Sequence, residues 1–105
     1  WGANDAVNAI VRDRNGRLII GGNFQGVDER VRYHLARLHP NGALDTSFDP
    51  GDGADNLIFA LALQPDGRVL IGGSLSTYDG VSRPGIACVN AYGVDLYLPA
   101  ILGTR

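Results

Sequence analysis

Residues 12–23 read RDRNGRLIIGGN and residues 63–74 read LQPDGRVLIGGS. The second stretch is a near copy of the first, 51 positions on. The register holds far beyond it. Gly2 falls on Gly53, Ala9 on Ala60, Gly16 on Gly67, Arg17 on Arg68, Asp28 on Asp79, Arg32 on Arg83, Ala36 on Ala87 and Gly42 on Gly93. Scattered glycines coincide by chance; an unslipped series with the same apolar pattern between its members does not. A fixed period of this size marks a stacked supersecondary unit that cannot bury its apolar face alone. The chain therefore reads as two units, residues 1–50 and residues 51–105, the second with an atypical C-terminal strand.

The turns define the unit. Pro65-Asp66-Gly67 separates two apolar, β-rich runs. Proline cannot take a positive φ, so a two-residue type I′ turn beginning at Pro65 is excluded. Proline at the second position of a type I turn, followed by glycine in the left-handed region, gives a three-residue hairpin with a bulge. Arg14-Asn15-Gly16 is its counterpart, and Pro40-Asn41-Gly42 repeats the pattern with Ala91-Tyr92-Gly93 as partner. Four strands per unit are expected: 6–12, 17–24, 35–39 and 43–48, then 57–63, 68–75, 86–90 and 94–98. No helical period runs long enough to compete. The expected fold is all-β, two four-stranded antiparallel meanders. The run LIFALAL at 57–63 is apolar on both of its faces, so its sheet is covered on both sides. Stacked four-stranded sheets of this kind are the blades of β-propellers.

These residues resemble the delta-60 repeat, a bacterial family of tandem units. LQPDGRVLIGGSL matches the first half of its pattern, RLIIGGNF matches it more weakly, and LARLHPNGALDTSF at 35–48 matches the second half almost letter for letter. The resemblance covers nearly the whole chain. It implies propeller-like repeats in large secreted or surface proteins, hence an extracellular or cell-surface location, and it brings no catalytic residues. VDLYLPAILGTR at 94–105 departs from the pattern and suggests a terminal or assembly-specific edge, with Leu96, Tyr97, Leu98, Ile101 and Leu102 as candidate contact residues.

Composition narrows the function. An apolar fraction of 45% and a charged fraction of 19% describe a globular chain, and fifteen glycines fit a fold made of turns. A net charge of −2 argues against nucleic-acid binding, which needs a basic patch. No apolar run reaches the length of a membrane-spanning helix, roughly 18 residues. A chain without methionine reads as a processed product, a fragment, or a chain lacking its start. Cys88 is the single cysteine, so an intrachain disulfide is excluded and a small buried apolar role is expected.

The candidate chemistry is thin. Gly21-Gly22 and Gly72-Gly73 lack the strand-to-helix setting of a phosphate loop and read as close packing of one blade on another. Asp49, Asp52 and Asp55 offer oxygen ligands to calcium without the spacing of an EF-hand, so a solvated turn is preferred. Asp45-Thr46-Ser47 has no nucleophile-elbow context, and only His34 and His39 are available as bases; these groups are expected to satisfy backbone around the hairpin. The loops holding Asp28, Arg32 and Tyr33, and Tyr78, Asp79 and Arg83, are the candidate ligand or partner residues. The paired Asp28/Arg32 and Asp79/Arg83 read first as one ion pair per blade. The expectation is a non-enzymatic scaffold without cofactor or metal, partnered by copies of itself or by further repeats of a longer chain. A carbohydrate- or small-ligand-binding module is the alternative.

Overall fold

A computed structural model describes residues 2–90 and residue 93. The described chain is strands and turns, with no helix. The first unit holds β1 (Val7–Arg12), β2 (Leu18–Gly22), β3 (Gly26–Val27), β4 (Arg30–Val31) and β5 (Leu35–Leu38). The second holds β6 (Ile58–Leu63), β7 (Val69–Gly73), β8 (Thr77–Tyr78), β9 (Val81–Ser82) and β10 (Ile86–Val89). Each unit builds one antiparallel sheet, β1-β2-β5 and then β6-β7-β10, and closes its long loop with a two-stranded ribbon, β3-β4 or β8-β9.

The hairpins form as their residues require. Gln64 N–H donates to the Arg68 carbonyl (2.8 Å) and Gly67 N–H to the Gln64 carbonyl (2.9 Å), which encloses Pro65-Asp66-Gly67 as a bulged three-residue turn. Gly16, Gly42, Gly67 and Gly93 lie at φ 81°, 92°, 91° and 87°, where a Cβ is disfavoured.

The repeat is reproduced bond by bond. Asn4 Oδ1 accepts from the amides of Gln25 (2.9 Å) and Gly26 (3.1 Å); Asp55 Oδ1 accepts from Ser76 (2.7 Å) and Thr77 (3.1 Å). Ala3 bridges Val27 and Ala54 bridges Tyr78. Both first strands break register at one place, between Val7 and Ala9 and between Ile58 and Ala60.

Two expectations are corrected. The ribbons occupy what was expected to be open loop: two-residue strands are too short to leave a periodic signal. The fourth strand expected over Ala43–Phe48 is absent. Leu44 makes a single bridge to Leu38, and the chain then turns. Asp45 causes the turn. Its carboxylate captures the Ser47 amide (3.0 Å) and hydroxyl (2.5 Å), an arrangement that competes with continued strand pairing. The matching run expected over Val94–Leu98 lies outside the described residues.

Two apolar clusters form. The larger includes Ile19 and Leu35 from the first sheet and Ile58, Val69, Ile71 and Ala87 from the second, so it lies between the sheets. The smaller, Ile20, Phe24, Val27 and Ala36, lies on the opposite side of the first sheet and is closed by Ala3, Leu38 and Leu44. Fully burying one large aliphatic side chain is worth about 1.5–3 kcal/mol. The inter-sheet cluster is therefore what makes two small sheets one structure.

Candidate functional site

The best-defined site is the junction of the two sheets. Strand pairing fixes which side chains face it. Ala9, Val11, Ile19, Gly21, Leu35 and Arg37 share the face of the first sheet that meets the second. Gly21 supplies a notch for Ile58: a Cβ built on Gly21 would stand 2.6 Å from the Ile58 Cγ2 atom. Ile58 is fully buried as a result. Polar contacts tie the junction at the notch and at the hairpin end. Asn8 Nδ2 donates to the Ile58 carbonyl (3.1 Å), and Arg14 Nη2 donates to the Pro65 carbonyl (2.7 Å). The expected close packing of blade on blade thus holds for Gly21. Gly22 and Gly73 serve a different need, because a Cβ on either would strike the carbonyl oxygen of Ala6 or Leu57 in the bulge of its own sheet.

A charged knot closes the hairpin end of the junction. Arg37 Nε donates to Asp45 Oδ2 at 2.9 Å, with both side chains buried. Arg17 Nη1 approaches the same oxygen at 3.7 Å, and Arg17 Nε donates to Asp13 at 2.9 Å. The Arg37 guanidinium lies 4.9 Å from the centre of the Phe48 ring. Burial would raise the Asp45 pKa, but the Ser47 hydroxyl and amide and Arg37 outweigh it and bring the value down to about 2. A half-open cleft of about 640 Å³ runs between the hairpins, bordered by Arg12, Arg17, Arg37, Leu63, Gln64 and Pro65. Ser47 donates to Asp45 rather than to a histidine, and the His39 Nε2 atom stands 3.8 Å from Asp45, so the three do not form a nucleophile relay.

The loop residues singled out in the sequence take different places in the fold. Tyr78 is fully buried, its hydroxyl donating to the Gly93 carbonyl (2.6 Å), so its ring belongs to the core. Tyr33 is 38% exposed, and its backbone carbonyl lies against Gly53. The expected Asp28–Arg32 and Asp79–Arg83 ion pairs are not formed, because the aspartates have better partners. Asp28 accepts from the amides of Gly2 (2.8 Å) and Leu44 (3.0 Å), which hold its carboxyl below the usual range. Asp79 accepts from the Asp52 amide (2.9 Å). Arg32 and Arg83 each donate to the carbonyl of the preceding residue, at 2.7 Å and 2.8 Å. Both aspartates therefore tie the ribbon to the segment entering its own unit. The candidate edge residues Leu96, Tyr97, Leu98, Ile101 and Leu102 lie outside the described residues.

The sequence offered His34 only as an available base, and its place in the fold was missed. It is buried at φ 70°, with Nδ1 3.0 Å from the Gly22 carbonyl, and its counterpart in the second unit is Gly85, at φ 81°. A histidine aligned with a glycine was the available signal.

The remaining faces of the two sheets are the images of the junction. Leu35 is fully buried by the second sheet, whereas Ile86, at the same place in the second unit, is 58% exposed. Phe59, the counterpart of Asn8, is 53% exposed. Among the described residues, a Cβ on Gly72, the counterpart of Gly21, would meet only the Gly85 carbonyl, at an ordinary 3.8 Å. On the far side of the first sheet, Val7 stands where Ile58 stands in the second, and it is 38% exposed, with Ile10 at 60%.

Tandem antiparallel sheets stacked face to face through a repeated notch define a propeller-type repeat protein. The chain belongs to the family described as "Domain of unknown function (DUF5122) beta-propeller", whose model matches residues 14–48 and 64–94. No curated protein and no solved structure matches it.

Proposed function

We propose that this chain is a non-enzymatic repeat scaffold that joins further copies of itself through the contact that joins its own two sheets. The exposure of Ile86, set against the burial of Leu35, carries the reading. The same apolar position is covered in one unit and left bare in the next. Phe59 and Ile86 on one side, and Val7 and Ile10 on the other, give the molecule two unlike sticky faces. A contact between unlike faces is head-to-tail: it closes into a ring when the rotation per copy divides a full turn and propagates as a filament when it does not. Closed propellers have about 4–8 blades, so a ring of two-bladed chains needs several copies. The resemblance to the delta-60 repeat favours an extracellular or cell-surface setting.

Light scattering after size exclusion at micromolar concentration tests the reading. The expected particle is a multiple of 11.1 kDa. A well-folded monomer across that range would overturn it.

A further inference from the structure

We infer that the register of this assembly is set by one knob and one notch: Val7 of a second copy enters the notch above Gly72. The inference rests on the head-to-tail reading and names the residues that carry its specificity. Inside the chain, Ile58 is the knob and Gly21 the notch, and the fit is tight enough that a single methyl on Gly21 would stand 2.6 Å from the Ile58 Cγ2 atom. Moving both members by one repeat gives the outer pair. The knob becomes Val7, which, like Ile58, opens its strand beside the register break. The notch becomes Gly72, over which, among the described residues, nothing stands closer than the Gly85 carbonyl at 3.8 Å.

The surroundings agree with a second copy as occupant. Ile86 flanks the open notch as Leu35 flanks the filled one, and Phe59 replaces Asn8. The inner junction therefore has a hydrogen bond from Asn8 to the backbone of the knob residue. The outer junction has an aromatic ring in its place and is the more apolar of the two. An apolar face with a residue-sized hollow is best filled by a β-branched side chain on an exposed strand, and Val7 is such a residue at the matching place. Its smaller volume relative to isoleucine leaves the notch incompletely filled.

Gly72 makes a clean test because a Cβ there meets, among the described residues, only the Gly85 carbonyl at an ordinary 3.8 Å. Gly72→Val is expected to melt like the parent, or slightly above it, since valine suits a strand better than glycine. It should lose the larger species at concentrations where the parent keeps it. Val7→Ile should strengthen assembly by about three- to tenfold in dissociation constant, in line with one added buried methylene. Val7→Lys should abolish assembly from the other side of the contact, which guards against a folding defect peculiar to Gly72→Val. Gly72→Val combined with Val7→Ala should regain part of what Gly72→Val lost, because the added bulk then faces a smaller knob. A parent that assembles while Gly72→Val and Val7→Lys assemble equally well sinks the notch and leaves the scaffold reading standing. A monomeric parent sinks both. Dissociation on removing residues 98–105, with both point variants still assembled, would hand the contact to the C-terminal segment.

Discussion

The Arg37 guanidinium and the Asp45 carboxylate meet at 2.9 Å with side chains only 3% and 4% exposed. Their counterparts in the second unit are Cys88 and Leu96, so the pair is peculiar to the first. Buried ion pairs add little over well-packed apolar residues, but removing one partner strands the other. Asp45→Ala is expected to cost about 3–5 kcal/mol, measured by urea unfolding. Arg37→Met with Asp45→Leu should cost clearly less than Asp45→Ala alone. Equal losses would mean that the pair contributes in its own right and not chiefly by cancelling a buried charge.

The same carboxylate gives the fold an acid sensitivity. Its folded pKa of about 2 lies below the ordinary 3.8. A depressed carboxylate contributes stability that is fully present above its unfolded value and is lost as the pH falls through its folded value. The loss from this group belongs between about pH 4 and pH 2 and amounts to about 2 kcal/mol. Asp13 acts in the same sense: burial opposes its ionisation, and the Arg17 and Asn15 amides and the Arg17 side chain overcome it. Thermal melts stepped down through this range should fall for the parent and fall less steeply for Asp45→Asn. Parallel curves would show that Asp45 is not the titrating group.

The repeat was the most legible feature of the sequence, and the structure shows why. Asn4 and Asp55 have different side chains, but each presents an oxygen to two successive amides at the start of a ribbon. Of the two glycine pairs read as blade-packing positions, Gly21 meets the other sheet, whereas Gly22 and Gly73 make room for the bulge of their own sheets. What sequence pattern could not supply was partner choice. Asp28 lies near Arg32 in sequence, and an ion pair is the simplest guess, but backbone amides supplied by Gly2 and Leu44 complete a network that no local reading contains. Tyr78 falls in a run that the sequence assigns to a loop between two strands. In the fold its ring occupies the place that Val27 fills in the first unit. The strand expected at Ala43–Phe48 rested on its place after the Pro40-Asn41-Gly42 turn; one aspartate with nearby donors was enough to turn it.

The loop over 49–55 is expected to keep its shape without calcium. Asp49 accepts from the Gly51 amide (2.9 Å), and Asp55 is committed to Ser76 and Thr77, which hold its carboxyl below the usual range. These carboxylates stabilise turns and would have to leave backbone donors to bind a cation. EDTA should leave the melting temperature unchanged, and millimolar calcium should not raise it. A drop with chelator that calcium restores would reassign the loop as a metal site.

Gly67 sits at φ 91°, and no described residue lies within 4 Å of where a Cβ would go. Substitution there meets strain in the backbone and no clash with the described residues, so the cost reports the turn. Gly67→Val should lose about 1–2 kcal/mol, the penalty of the left-handed region for a residue with a Cβ. Asp66→Asn keeps an acceptor for the Arg68 amide and should stay within about 0.5 kcal/mol of the parent. Equal melts for Gly67→Val and the parent would contradict the bulged turn.

The inner notch offers the sharpest contrast, because one substitution at two equivalent places should have opposite effects. Gly21→Ala drives a methyl into Ile58, whose backbone is fixed by the β6–β7 pairing and by Asn8. Overpacking of this kind costs about 1–3 kcal/mol. Gly72→Ala places the same methyl at an ordinary 3.8 Å from the Gly85 carbonyl, its one contact among the described residues, and should be neutral or slightly stabilising. Ile58→Ala on its own leaves a cavity and costs about 2–5 kcal/mol. Combined with Gly21→Ala it should cost less than the sum of the two, since each change removes the reason the other is harmful. A favourable coupling of about 1 kcal/mol or more in a double-mutant cycle is the expected outcome. Strict additivity would mean that Gly21 is a glycine for some reason other than Ile58, and the repeat-by-repeat extension to Gly72 would lose its template.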